Sequence, residues 1–79
     1  MKYTEERFAR DLTAELDRDF DPVRIAKWAF TVWSDPDRRD RALTVTECLH
    51  TLALMEQGPE FYLTEQEIRE MAKRTARSD

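Results

Sequence analysis

The sequence predicts an all-α protein: a small single-domain bundle of four helices, at about 5–19, 22–34, 45–57 and 65–77, with the second helix central. Three observations carry that prediction. Apolar residues recur at three-to-four spacing, and no stretch alternates for long as a half-buried strand would. Helix-start chemistry appears four times, at Thr4, Asp21-Pro22, Thr44-x-x-Glu47 and Thr64-x-x-Glu67. One glycine and three prolines leave little turn material for hairpins.

The first helix starts behind Thr4 as N-cap, with Glu5 and Glu6 at the positive end of the dipole and Tyr3 placed to staple onto Phe8. Phe8, Ala9, Leu12, Leu16 and Phe20 then share one face about 120° wide. The second helix opens on Asp21 as N-cap with Pro22 in the first helical position. It is apolar around most of its girth. Val23, Ile25, Ala26, Trp28, Ala29, Phe30, Val32 and Trp33 cover roughly 220° of the wheel, and Arg24, Lys27 and Thr31 form one narrow polar stripe. Such a helix needs neighbours on nearly every side. Short connections make the first and third helices its expected flanks, with the fourth least firmly docked.

Asp35-Pro36 sets a boundary, and DPDRRDR is a charged connection with room for a helical turn. The third helix is expected to start at a capping box, Thr44 with Glu47, and to turn Val45, Cys48, Leu49, Leu52, Ala53 and Met55 inward. Leu54 falls opposite that stripe and marks a possible second contact face. Gly58-Pro59 ends the helix, with the glycine expected in the left-handed position. The fourth helix repeats the capping box at Thr64 and Glu67, with Leu63 as staple to Ile68. Its apolar stripe of Ile68, Met71, Ala72 and Ala76 is thin.

With 79 residues the chain makes one domain, hiding only about 60% of the surface its unfolded form exposes. Charged residues make up 38% with both signs interspersed, which fits a helical bundle better than disorder because 41% is hydrophobic. The net charge of −4 argues against a dedicated nucleic-acid binder. No apolar run reaches the roughly 18 residues of a membrane span. The N-terminal MKYTEERFARDL lacks the apolar centre of a signal peptide, so a cytoplasmic location is the simple expectation. Cys48 is the single cysteine, which rules out an internal disulfide.

Catalytic constellations are sparse. Cys48 and His50 stand two apart on a helix, about 200° around it, and cannot share a proton or a ligand. Asp17-x-Asp19-x-Asp21 opens like a calcium loop, but the glycine and glutamate such a loop requires are replaced by Pro22 and Trp28. Gly58 alone builds no phosphate loop. Neither cofactor nor metal is expected, and the reading is non-catalytic.

Two surface features remain. From Ala42 to Glu67 there is no lysine or arginine, while Glu47, Glu56, Glu60, Glu65 and Glu67 lie there beside Phe61 and Tyr62. An acidic flank with aromatic anchors suits a basic protein partner. The leading expectation is therefore a protein–protein interaction module, acting as an acidic inhibitor or immunity-type protein or as a homodimeric adaptor. Trp28, Trp33, Glu56, Glu60 and Tyr62 are its candidate contact residues, and a dimer would build on Trp28, Phe30 and Trp33. The alternative is a nucleic-acid-associated regulator using Arg38, Arg39 and Arg41 with Arg69, Lys73 and Arg77, which line up on the fourth helix. The structural reading of those cations is a paired, solvated surface, with Glu65 four residues before Arg69 and Glu70 four before Arg74.

Overall fold

The computed structural model describes residues 2–77. The chain folds into four α-helices joined by short 3₁₀ turns: α1 (Glu5–Arg18), α2 (Pro22–Ser34), α3 (Leu43–Ala53) and α4 (Glu65–Arg77). The turns are Pro36–Arg38, Leu54–Gln57 and Pro59–Phe61. No strand occurs among the described residues, only a single bridge between Tyr3 and Arg41.

Helix starts follow the local chemistry where a side chain reaches the free N–H groups. Thr4 Oγ1 accepts from Arg7 N at 3.1 Å, and Asp21 Oδ1 accepts from Val23 N at 3.0 Å. Thr64 and Glu67 complete the reciprocal box: Thr64 N donates to Glu67 Oε1 at 2.9 Å and Glu67 N donates to Thr64 Oγ1 at 3.1 Å. The third helix departs from expectation at both ends. It begins at Leu43 behind Ala42, with no side-chain cap, and Thr44 lies inside its first turn. The cause is tertiary. Tyr3 N donates to the Asp40 carbonyl at 2.7 Å and holds the chain extended up to Arg41, so the helix starts directly after it. At the other end the helix tightens into the 3₁₀ turn at Leu54 instead of running to residue 57. Gly58 has φ 158° and ψ 165°, an extended positive-φ conformation and not the left-handed cap expected for it. It still requires glycine, because side chains rarely adopt that backbone geometry.

Pairing also departs from the sequential order. The most extensive helix contacts are α1 with α4 and α2 with α3. The fourth helix, thin in apolar residues, is thus well seated. Ile68 and Ala72 are buried against the first helix's side, and Arg69 reaches across to Asp17 Oδ1 at 3.0 Å while its Nε holds Glu65 Oε2 at 2.9 Å. The α2 helix reaches the first helix through side chains: the Trp28 ring stacks on Phe8 with centroids 6.2 Å apart. Arg24 clamps the corner between α1 and α2. It donates to Glu15 Oε1 at 2.7 Å, to the Glu15 carbonyl at 2.6 Å, and to the Asp19 carbonyl. It thereby adds a second donor to the Glu15 carbonyl, which also accepts from Asp19 N, and serves the carbonyl of Asp19, the residue capping α1.

The core gathers Tyr3, Phe8, Leu12 and Leu16, Ile25, Ala26, Ala29 and Val32, Val45, Leu49, Leu52 and Met55, and Ile68 and Ala72. Tyr3 is 1% exposed, and its hydroxyl donates to Asp11 Oδ2 at 2.6 Å. Its ring meets Phe8 edge-on, as a staple should, and lies beneath the guanidinium groups of Arg38 at 5.4 Å and Arg7 at 5.6 Å. Burial, then the bond to Asp11, pushes the phenol well above its ordinary range.

Candidate functional site

Four core residues of α2, Ile25, Ala26, Ala29 and Val32, are fully covered. Its apolar arc is wider than that, and the uncovered part faces outward along the seam with α3. Phe30 is 61% exposed and Trp33 39%. With His50, Ala53, Leu54, Glu56 and Gln57 they line a cleft of about 300 Å³. The His50 ring lies 6.3 Å from the Trp33 ring, tilted by 48°. Leu43 is 73% exposed, and it precedes His50 by seven residues and Leu54 by eleven, which places all three on one face of the third helix and its turn.

Trp33 is held in place from behind. The Arg41 guanidinium stacks 5.2 Å from its ring centre. The same group donates to Thr46 Oγ1 at 3.1 Å, the Arg38 carbonyl at 2.8 Å and the Trp33 carbonyl at 3.4 Å. An indole that lines a cleft and is packed against a hydrogen-bonded guanidinium is a rigid anchor, and it loses little entropy on contact with a partner.

The candidate contact residues separate into groups. Trp33 and Glu56 come together in the cleft. Trp28 lies elsewhere, half-buried and packed on the core through Phe8. Glu60 and Tyr62 lie past Gly58, both exposed, and do not line the cleft. Phe30, His50 and Leu54 complete the site. Leu54 was legible as an apolar residue opposite the inner stripe of its helix, and Phe30 as part of an apolar arc too wide for thin neighbours, but His50 carried no such signal.

The basic residues divide differently. Arg41 is engaged as described, Arg38 pairs with Asp35 at 3.6 Å, and Arg69 bridges Glu65 and Asp17. Arg39, Lys73 and Arg77 are exposed. No group of three or more His, Cys, Asp or Glu is arranged to hold a metal ion among the described residues. Asp17 pairs with Arg69 and Asp21 caps α2, so two of the three aspartates of the calcium-like run have other partners. Cys48 is half-buried, its sulfur 3.5 Å from Thr75 Oγ1. The Thr75 hydroxyl donates to the Met71 carbonyl at 2.8 Å, and burial pushes the Cys48 thiol up, away from the reactive thiolate. Among the described residues, no helix is long and apolar enough to cross a membrane.

Comparison of the chain with protein-family models, with curated proteins and with solved structures finds no match.

Proposed function

We propose that this chain is a non-catalytic protein–protein interaction module whose docking site is the cleft between α2 and α3. The observation that carries the reading is the joint exposure of Phe30 and Trp33 beside Leu54, on a helix that buries Ile25 and Val32 and half-buries Trp28. Aromatic anchors around a concave apolar surface are the usual source of binding energy at protein interfaces. At about 300 Å³ the cleft has room for an inserted side chain from a partner. The inhibitor-type and adaptor-type roles both use such a site. Nucleic-acid binding has less support, because Arg38, Arg41 and Arg69 already serve internal bonds, leaving fewer cations to neutralise phosphates.

The test is a photo-crosslinking residue placed at position 30 of the full chain, with a control at exposed Arg10 on α1, irradiated in native cell extract. The expected result is a discrete adduct from position 30, competed by unlabelled protein and absent from position 10. An adduct of twice the chain's mass assigns the adaptor-type homodimer, and any other mass assigns a separate partner. Equal labelling from both positions, or none from position 30, overturns the docking reading.

A further inference from the structure

Tyr3 and Arg41 form one continuous set of contacts that ends on the cleft. Tyr3 N donates to the Asp40 carbonyl at 2.7 Å, and Tyr3 and Arg41 pair as a parallel bridge. Tyr3 is itself seated on α1. Its ring is buried, edge-on to Phe8, and its hydroxyl donates to Asp11 Oδ2 at 2.6 Å. The segment 2–4 is therefore a strap that ties the backbone at Arg41 to α1. From that fixed backbone the Arg41 guanidinium reaches Trp33, 5.2 Å from the ring centre, and Nη2 donates to the Trp33 carbonyl at 3.4 Å. Nε and Nη1 of the same group are taken up by Thr46 Oγ1 and the Arg38 carbonyl. The two tryptophans differ in what fixes them. Trp28 stacks on fully buried Phe8, so the core itself holds that ring. Trp33 stands in the last turn of α2, 39% exposed, where it meets the Arg41 guanidinium and the exposed His50 ring. Of these two, Arg41 is the one tied down by hydrogen bonds.

Building on the docking reading above, we infer that this strap regulates the cleft. With Tyr3 seated, Arg41 holds Trp33 as a fixed wall against which a partner's side chain packs. With Tyr3 withdrawn, the backbone at Arg41 is released and the guanidinium loses its register with Thr46 and the two carbonyls. Trp33 then gains rotamer freedom that a partner must pay to freeze. Arg41 is thus the positioning residue of the cleft, and Tyr3 is the group that seats it. Neither residue lines the cleft, so their effect reaches it through Trp33. Coupling between two sites is reciprocal, so disturbing the Arg41–Trp33 contact loosens Tyr3 in turn.

The experiment uses the full chain and its R41K, Y3A and Y3F variants, with I68V as a control that weakens the core at buried Ile68 of α4. R41K keeps the charge and loses the planar fork. Circular dichroism checks the fold, acrylamide quenching and the indole N–H resonances report on each tryptophan, and amide hydrogen exchange reports on Tyr3. R41K is expected to stay folded, to move the quenching of Trp33 toward that of free tryptophan and to leave Trp28 at its parent value. In the same variant the Tyr3 amide should exchange at least about fivefold faster. Y3A should free Trp33 as R41K does, and combining the two should free it no further. Y3F, which keeps the ring and the amide, should stay near the parent. Capture from position 30 should fall at least about fivefold in R41K.

An unchanged Trp33 in R41K, an unchanged Tyr3 amide there, or the same changes in I68V overturns the inference. Should Y3A not fold, the Tyr3 amide in R41K decides alone. The two readings fail separately. Capture from position 30 that R41K leaves intact keeps docking and overturns the strap's control of it. No capture from position 30 overturns docking, while a freed Trp33 in R41K keeps the strap's hold on the indole.

Discussion

The α1/α4 pair and the α2/α3 pair solve the same packing problem with different residues at their outer seams. Along α1/α4 the seam is lined by Ala9, Ala14, Ala72 and Ala76, and Arg69 ties the two helices across it to Asp17. Small residues let the helices approach and leave no large apolar side chain outside. Along α2/α3 the outer seam carries Phe30, Trp33 and Leu54, with no cross-helix ion pair among the described residues. One seam leaves alanine methyl groups in water, whereas the other leaves two aromatic rings there. Scattered exposure of that kind is ordinary. Here Phe30 and Trp33 share one concave place, whereas exposed Leu43, Phe61 and Tyr62 do not line it.

The largest break of that contrast compares two phenylalanines. F8A empties a fully buried site beneath both Tyr3 and Trp28 and is expected to cost about 3–5 kcal/mol in denaturant unfolding. F30A, on the open seam, should leave stability within about 0.5 kcal/mol. Similar losses at both positions would mean that the cleft is part of the core.

A second test targets the buried Tyr3 hydroxyl, which holds Asp11 of α1. Y3F keeps the ring but leaves the Asp11 carboxylate without its donor, a loss of about 1–2 kcal/mol at neutral pH. The Tyr3 phenol is raised from its ordinary 10.0, so the folded chain retains a proton that the unfolded chain releases. Its contribution is complete below pH 10 and declines as pH rises beyond it. Denaturation midpoints should therefore fall faster above about pH 10 in the parent than in Y3F. Parallel pH profiles would show that the phenol is not held in this way.

R24A is next in size. It removes the bonds to Glu15 and to the carbonyls ending α1, but Arg24 is partly solvated and its Nε–H is buried without an acceptor, which offsets part of the gain. The expected loss is about 1 kcal/mol by thermal unfolding. An unchanged midpoint would place the α1–α2 corner under the control of packing alone. The smallest effect is optical. Acrylamide should quench Trp33 more than Trp28, and W33F should remove the more accessible component. Equal accessibility of the two indoles would erase the distinction between the closed and open sides.

Much of this was local chemistry and therefore legible. The α2 and α4 boundaries follow from Asp21-Pro22 and the Thr64–Glu67 box, since a cap is settled within three or four residues. Thr44 and Glu47 offered the same pattern and did not cap α3, because Tyr3 holding Asp40 had already fixed where the chain leaves its extended path. Arg24 looked like part of a polar stripe, yet it serves the end of α1, through carbonyls of Asp19 and Glu15 five and nine residues back. Leu54 was visible as a residue off the buried stripe and Phe30 as part of the wide apolar arc of α2, but not as neighbours.

The sequence by itself determined that four helices form, and that α2 carries more apolar surface than one thin neighbour can cover. Periodicity and capping act over a few residues, so the chain order contains them. Only the tertiary structure decided which part of that surface stays open. Coverage depends on how all the helices divide a common interior, and pairing α1 with α4 left α2 to α3. That division put Trp28 against Phe8 and left Trp33 at the cleft beside Phe30, His50 and Leu54.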